Sequence, residues 1–278
     1  MTLLWTWIAG FIPVIFGITG TTIGTVIFYF GGGAPSVVAL FLVLKTYPKE
    51  AKKAYFRRCF SFKKMGLKWL IWAILFFTSI AVVGIYIGVT LLEYEMPGMQ
   101  WLHIAVTQPY MIPLLLLFSI ISGPLNEEFG WRGYSLDRLL SRFGFTRASV
   151  ILGFVWAIWH LAWYFTPGQA QYDLLQSSFL EAFMFIPSTI AVGFVVSFVY
   201  INTKRSILAG AFVHMMFNFL TSQLIAPYSI GISAVIRNVS IVFSSVVIIY
   251  CLYSKKFKGK IRIEIEDIKK ECEQYGSI

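Results

Sequence analysis

The chain has 278 residues, 58% of them hydrophobic and only 13% charged, against roughly 25% charged in ordinary soluble domains. That balance excludes a soluble globular or disordered protein. The net charge of +10 could suit nucleic acid, but the Lys and Arg residues are confined to short segments between apolar runs, which argues against a nucleic-acid partner and for a lipid bilayer.

Taken in order, apolar runs near the roughly 20 residues that a bilayer requires cover 3–30, 34–47, 68–92, 109–131, 147–165, 178–203, 206–226 and 232–253. They predict an all-α polytopic membrane protein with about eight transmembrane helices. The opening run lacks the basic leader and small-residue cleavage site of a signal peptide, so it reads as a retained span. No long polar linker and no internal repeat divides the chain, which predicts a single membrane domain over 1–254.

Between Lys45 and Lys68 lie nine Lys or Arg against one acid, Glu50. Further basic groups fall at 132–147, at Lys204 and Arg205, and at 255–260, whereas the intervening loops carry Glu93 with Glu95, then Asp173, then no charge across "IAPYSIG". Basic and non-basic loops therefore alternate after residue 44, the positive-inside pattern, and both termini of this multi-pass chain are predicted on the cytoplasmic side of the cell membrane. Trp163, Tyr164 and Tyr228 fall near predicted span ends, where aromatic rings favour the interface. Cys59, Cys251 and Cys272 lie on or near the basic side, where thiols stay reduced, and predict no disulfide.

In "YSLDRLLSRFGFTR", residues 134–147, Leu136, Leu139, Leu140 and Phe143 recur at helical spacing opposite Asp137, Arg138 and Arg142. That predicts a short amphipathic helix on the cytoplasmic surface. The tail 255–278 mixes both signs of charge and reads as a solvated cytoplasmic segment.

Ionisable residues inside the runs are the candidates for function, because a charge at the bilayer centre costs at least about 2.5 kcal/mol. Glu127, Glu128 and Arg132 end the fourth run in "NEEFGWRGY", His160 sits in "FVWAIWHLAWY", and His214 with Asn218 shares a helix face in "GAFVHMMFNFL". Each has a bland alternative: an i,i+4 ion pair for Glu128 and Arg132, a packing histidine at 160, a polar helix–helix contact at 214 and 218. His103, in the non-basic loop "MQWLHIAVTQ", has no evident partner and reads as an interfacial side chain. With the fourth span ending near Arg132 and the fifth and seventh beginning on the same side, the deep polar groups can meet in the cytoplasmic half of the membrane. Such a set suits amide hydrolysis, with a carboxylate to activate water and donors for the oxyanion. Imidazole and carboxylate would also suit a divalent metal such as zinc, but the chain has no HExxH helix, and the metal stays open.

These residues resemble the CPBP intramembrane proteases, the CAAX-processing and bacteriocin-processing or Abi family, which includes the Rce1-type prenyl protein endopeptidases. Glu127, Glu128 and Arg132, followed by Gly133, match the motif EExxxR; His160 matches FxxxH with Trp156 in place of the phenylalanine; His214 and Asn218 match HxxxN. "GGGAPSVVAL" at 31–40 resembles a Gly-Pro-Ser stretch common in the second helix of these proteins. The resemblance covers roughly residues 30–250 and places a catalytic core over about 109–226. It implies Glu127 as general base, His160 holding the attacking water, His214 and Asn218 stabilising the oxyanion, and Glu128 with Arg132 supporting the site. The expected activity is an endopeptidase whose site opens to the cytoplasm and acts on a peptide or membrane-anchored protein, in roles such as bacteriocin or signalling-peptide maturation or self-immunity. Two other readings stand beside it, a transporter or proton-coupled membrane protein and a non-catalytic immunity or scaffold protein.

Overall fold

The computed structural model describes residues 1–224 and 230–275, and every regular element among them is helical. Four helices are long and apolar enough to cross a membrane: Leu67–Thr90, Pro124–Phe165, Phe179–Asn202 and Ile230–Tyr253. Two bent pairs raise the number to six by length and composition, below the expected eight. The chain is thus an all-α polytopic membrane protein, with several predicted runs built differently.

The first run is not one span. Helix α1 (Thr2–Ile15) ends before a turn in which Gly17 and Gly20 both adopt positive φ, and α2 (Thr22–Gly32) starts afresh, capped by the Thr21 hydroxyl on the Gly24 amide. The Thr6 hydroxyl donates to the Gly31 carbonyl at 2.9 Å and closes this hairpin. α2 then joins α3 (Ala34–Thr46) through a 49° bend. Here the Gly-Pro-Ser stretch has a direct structural use. A side chain at Gly130 would put its Cβ 2.3 Å from the Pro35 carbonyl oxygen, and the Ser36 hydroxyl donates to the Leu125 carbonyl at 2.8 Å. Glycine at 130 thus lets α3 lie directly on α9 (Pro124–Gly130), the helix that carries Glu127 and Glu128.

The basic stretch after α3 is ordered. It forms α4 (Lys49–Cys59) and the single turn α5 (Phe62–Met65), with the Tyr55 hydroxyl donating to the Phe129 carbonyl at 2.8 Å. The long α6 (Leu67–Thr90) follows. α7 (Gln100–Thr107), which bears the exposed His103, meets the segment leading into α8 (Ile112–Ile121) at 110°.

The fourth run does not end near Arg132. After a break at Gly123 the chain continues from α9 through a wide-turn segment, Trp131–Leu136, into α10 (Asp137–Trp159). The expected surface helix over 134–147 is present as far as Gly144, where φ is 71°; there the chain turns back, and a second helix within α10 returns Trp156 to hydrogen-bond distance of Glu127. Asp137, expected on the solvated face, is buried: Arg58 donates to its Oδ2 at 2.7 Å and the Tyr200 hydroxyl to its Oδ1 at 2.7 Å. The expectation failed because the solvated-face argument assumed no partner for Asp137, whereas α4 supplies one.

Beyond the helical turn His160–Phe165 come α11 (Ala170–Ser177), α12 (Phe179–Asn202) and α13 (Ile207–Asn218), the last extended by Phe219–Gln223. The expected end of that run at 226, and the interfacial Tyr228, lie outside the described residues. Trp163 is a core residue, 4.9 Å from the Phe28 ring, rather than an interfacial one. α10 and α12 cross closely, since a side chain at Gly153 would lie 2.8 Å from the Ile190 Cα. Small residues at such crossings are how helices associate in lipid.

Helix α14 (Ile230–Tyr253) leads to α15 (Lys255–Tyr275). The tail expected to be solvated is therefore a folded amphipathic helix. It buries Phe257, Ile261, Ile268 and Cys272, and Arg205 donates to Glu271 at 2.6 Å. Residues 276–278 lie outside the described part. All three cysteines are free and buried, and burial pushes the Cys59 thiol up to about 12, which leaves it a poor nucleophile.

Candidate active site

The adjacent carboxylates of α9 take different surroundings because successive residues on a helix point about 100° apart. Glu128 points into the bundle and is fully buried. Its Oε1 accepts from Arg132 Nη1 at 2.8 Å and from His214 Nδ1 at 2.9 Å. Arg132, 1% exposed, donates through Nη2 to the Gly193 carbonyl of α12 at 3.1 Å and lies 5.1 Å from the Trp156 ring. The ion pair suggested by the i,i+4 spacing is formed, and it is a buried junction of α9, α12 and α13.

Glu127 points the other way, into a cavity of about 610 Å³. Its Oε2 accepts from the Trp156 indole N–H at 2.5 Å. His160, His214 and Asn218 line the same cavity, whereas Glu128 and Arg132 do not. A Cβ built on Gly123 would lie 3.2 Å from Glu127 Oε1 and 3.6 Å from Asn218 Nδ2, so these two atoms flank one point at the break between α8 and α9.

The histidine tautomers follow from their partners. His160 Nδ1 is 2.8 Å from the Trp156 carbonyl, which can only accept, so Nδ1 carries the proton and Nε2 is left as an acceptor. His214 Nδ1 likewise donates to the Glu128 carboxylate. His160 is held among rings, with Trp159 at 4.7 Å and Phe185 at 5.1 Å between centroids.

The depth of the site follows from the helices that reach it. Gly193 lies nine residues before the end of α12, and His214 eight residues after Ser206, so both are roughly 12–14 Å in from the basic side at about 1.5 Å per residue. The cavity itself is walled in part by Gln169, Ala170, Gln171, Asp173, Leu174, Ser222, Gln223, Ile230 and Arg237, and no residue of the basic segments 45–68, 132–147, 204–205 or 255–260 lines it. Its walls therefore come from the span interiors and the non-basic loops.

A model of the type II CAAX prenyl endopeptidase Rce1-like family matches residues 109–220, which hold all six of these side chains. A curated relative, CAAX prenyl protease 2 of Methanococcus maripaludis, is 25% identical over 197 residues, covering 69% of this chain and 70% of that protein. Both matches support a likeness to the CPBP/Rce1-like family. This Rce1-like chain is accordingly a peptidase embedded in a membrane, which sets aside the transporter reading.

Two features of the site were not read from the sequence. Trp156 was seen only as a replacement for phenylalanine, yet it supplies a donor to Glu127, a carbonyl to His160 and a ring edge 4.9 Å from His214. Its position four residues before His160 on one helix was the available signal. Arg237, on α14, belongs to none of the three motifs, and its place in the cavity wall is visible only in the fold. For a metal, no group of three or more His, Cys, Asp or Glu with ligand geometry occurs among the described residues. The mechanism proposed for this site uses no metal.

Proposed function

We propose that this Rce1-like chain hydrolyses a peptide bond with Glu127 as general base and a water molecule as nucleophile. The observation that carries the reading is the convergence of Glu127, His160, His214 and Asn218 on one cavity while Glu128 and Arg132 are sealed behind it. Water donates one hydrogen bond to Glu127 and one to His160 Nε2, and its oxygen attacks the substrate carbonyl carbon as its proton passes to Glu127. Asn218 Nδ2 donates to the oxyanion that forms. His214 adds a second donor from Nε2 when its ring is doubly protonated, a charge that Glu128 balances. Collapse of the tetrahedral intermediate returns the proton from Glu127 to the leaving amine, so the base is regenerated. Glu128 and Arg132 are positioning residues, since they touch the reacting atoms only through His214 and the helix crossing.

The substrate we infer is a peptide, or the end of a membrane-anchored protein, carrying a large apolar group. Phe28, Trp159, Trp163, Phe185 and Phe217 wall the cavity, and the name of the matched archaeal relative points to a prenylated chain. An unprenylated membrane peptide, as bacteriocin or signalling-peptide maturation would supply, is the second class to assay. We infer from the alternation of basic and non-basic loops that both termini lie on the cytoplasmic side of the cell membrane, with the catalytic core over about 109–226 of a single membrane domain.

The deciding experiment replaces Glu127 with Gln in purified, detergent-solubilised protein and follows cleavage of a farnesylated peptide and its unprenylated counterpart. Turnover should fall by roughly 10²–10⁴-fold, the contribution of a positioned acid–base group. Undiminished cleavage would remove Glu127 from the role.

A further inference from the structure

The far wall of the active-site cavity holds a cation that the hydrolytic machinery does not use. Arg237, on α14, is 8% exposed and lines the cavity that Glu127 lines. It lies beyond residues 109–220, so the family match does not include it. A guanidinium buried at this depth is expensive unless it is paired or has a ligand. Arg237 is paired through Nη2 with Glu181 at the start of α12, but its Nε has no hydrogen-bond partner among the described residues. Glu181 itself is 25% exposed at its side chain. Nearby, the Ser188 and Ser240 hydroxyls lie 3.3 Å apart and Ser240 donates to the Arg237 carbonyl, tying this part of α14 to α12.

Three features separate Arg237 from a simple helix tie. It faces a cavity large enough for a peptide ligand, within the 300–1,000 Å³ usual for such sites. Its fork geometry is suited to a carboxylate, and a donor of that fork is unspent. Its present partner is a quarter exposed to solvent, so a ligand can compete for the guanidinium. Arg237 is also the one Lys or Arg among the described residues lining the cavity.

We propose that Arg237 is a substrate-binding residue that receives a carboxylate of the peptide, with Glu181 as the internal anion it exchanges for that carboxylate. The inference rests on the peptidase reading of the cavity and adds a specificity: the site selects substrates by a negative charge on the bound peptide. Two sources share this chemistry, the C-terminal carboxylate and an acidic side chain.

The test uses one farnesylated peptide made as the free acid and as the C-terminal amide, each with Glu or Gln at its one acidic position. Dissociation constants are measured by fluorescence anisotropy on full-length E127Q, and KM and kcat on the wild type. Removing the recognised carboxylate should weaken binding by roughly 10- to 100-fold, the range for a charge-assisted hydrogen bond. The amide arm assigns the effect to the terminus and the Gln arm to the side chain. R237Q should raise KM for the preferred peptide to that of its neutral form, R237K should retain part of the preference, and E181Q should tighten the anionic peptide. A helix tie alone would make R237Q and E181Q lose stability and activity together, and that result overturns the proposal. So does equal binding of all four peptides by E127Q, whether strong or undetectable. Loss of cleavage in E127Q is read separately: a carboxylate preference without Glu127-dependent cleavage would keep Arg237 and discard the hydrolytic mechanism.

Discussion

Replacing Trp156 with Phe restores the residue of the family motif and removes the indole N–H together with part of the ring. In this chain that N–H is the donor to Glu127 Oε2 at 2.5 Å, inside a site where Glu127 is 5% exposed. A hydrogen bond to a charged group is worth about 1.5–3 kcal/mol, and the Arg132 guanidinium over the indole adds about 0.5–1 kcal/mol, part of which a phenyl ring keeps. If the indole fixes the carboxylate for attack, W156F should lose roughly 10- to 100-fold in kcat with KM changed less than threefold, because the lost contact acts on the base rather than on the bound peptide. The variant should stay folded, since the phenyl ring still packs on His214 and the backbone carbonyl still holds His160. The assay is steady-state cleavage of the farnesylated peptide with thermal unfolding in the same detergent. A kcat within twofold of wild type would refute the positioning role of the indole, and a loss confined to KM would place Trp156 in substrate binding instead.

Removing the charge at Arg132 should be structural in the first instance: R132M leaves Glu128 buried with His214 alone and should lower stability by about 3–5 kcal/mol, whereas R132M/E128Q should recover a large part of it. Thermal or denaturant unfolding decides this, and an R132M protein as stable as wild type refutes the buried-junction account. The orientation is checked by single cysteines in a background lacking the native three. A membrane-impermeant maleimide should label D173C in intact cells and K256C only after permeabilisation, both positions being exposed. The reverse pattern overturns the placement of the basic side.

Fold class and the polar residues of the site were legible because burying charge in lipid is so costly that the surviving ionisable groups stand out. Glu128 with Arg132 was readable as a pair from its i,i+4 spacing alone. What the sequence could not carry was tertiary partnership. Asp137 looks like a surface residue until Arg58 and Tyr200 arrive from α4 and α12. The tail has a charge pattern compatible with solvent, and only the face bearing Phe257, Ile261, Ile268 and Cys272 finds a place in the bundle. Hydropathy likewise saw an uninterrupted run over 3–30 because Gly17 and Gly20 turn the backbone without changing its apolar character.

The position of α15 has a consequence for how the protein is made. It follows every membrane-crossing helix in the chain, yet it supplies Glu271 to Arg205, whose Nε lies 3.9 Å from Asp137 in the buried Arg58–Asp137–Tyr200 cluster. The helices can be inserted one after another as they leave the ribosome, but the basic end of the bundle is closed only by a segment synthesised after all of them. Assembly is therefore completed from the aqueous side, after insertion, when α15 brings Glu271 to Arg205 as a second acidic partner beside Asp137.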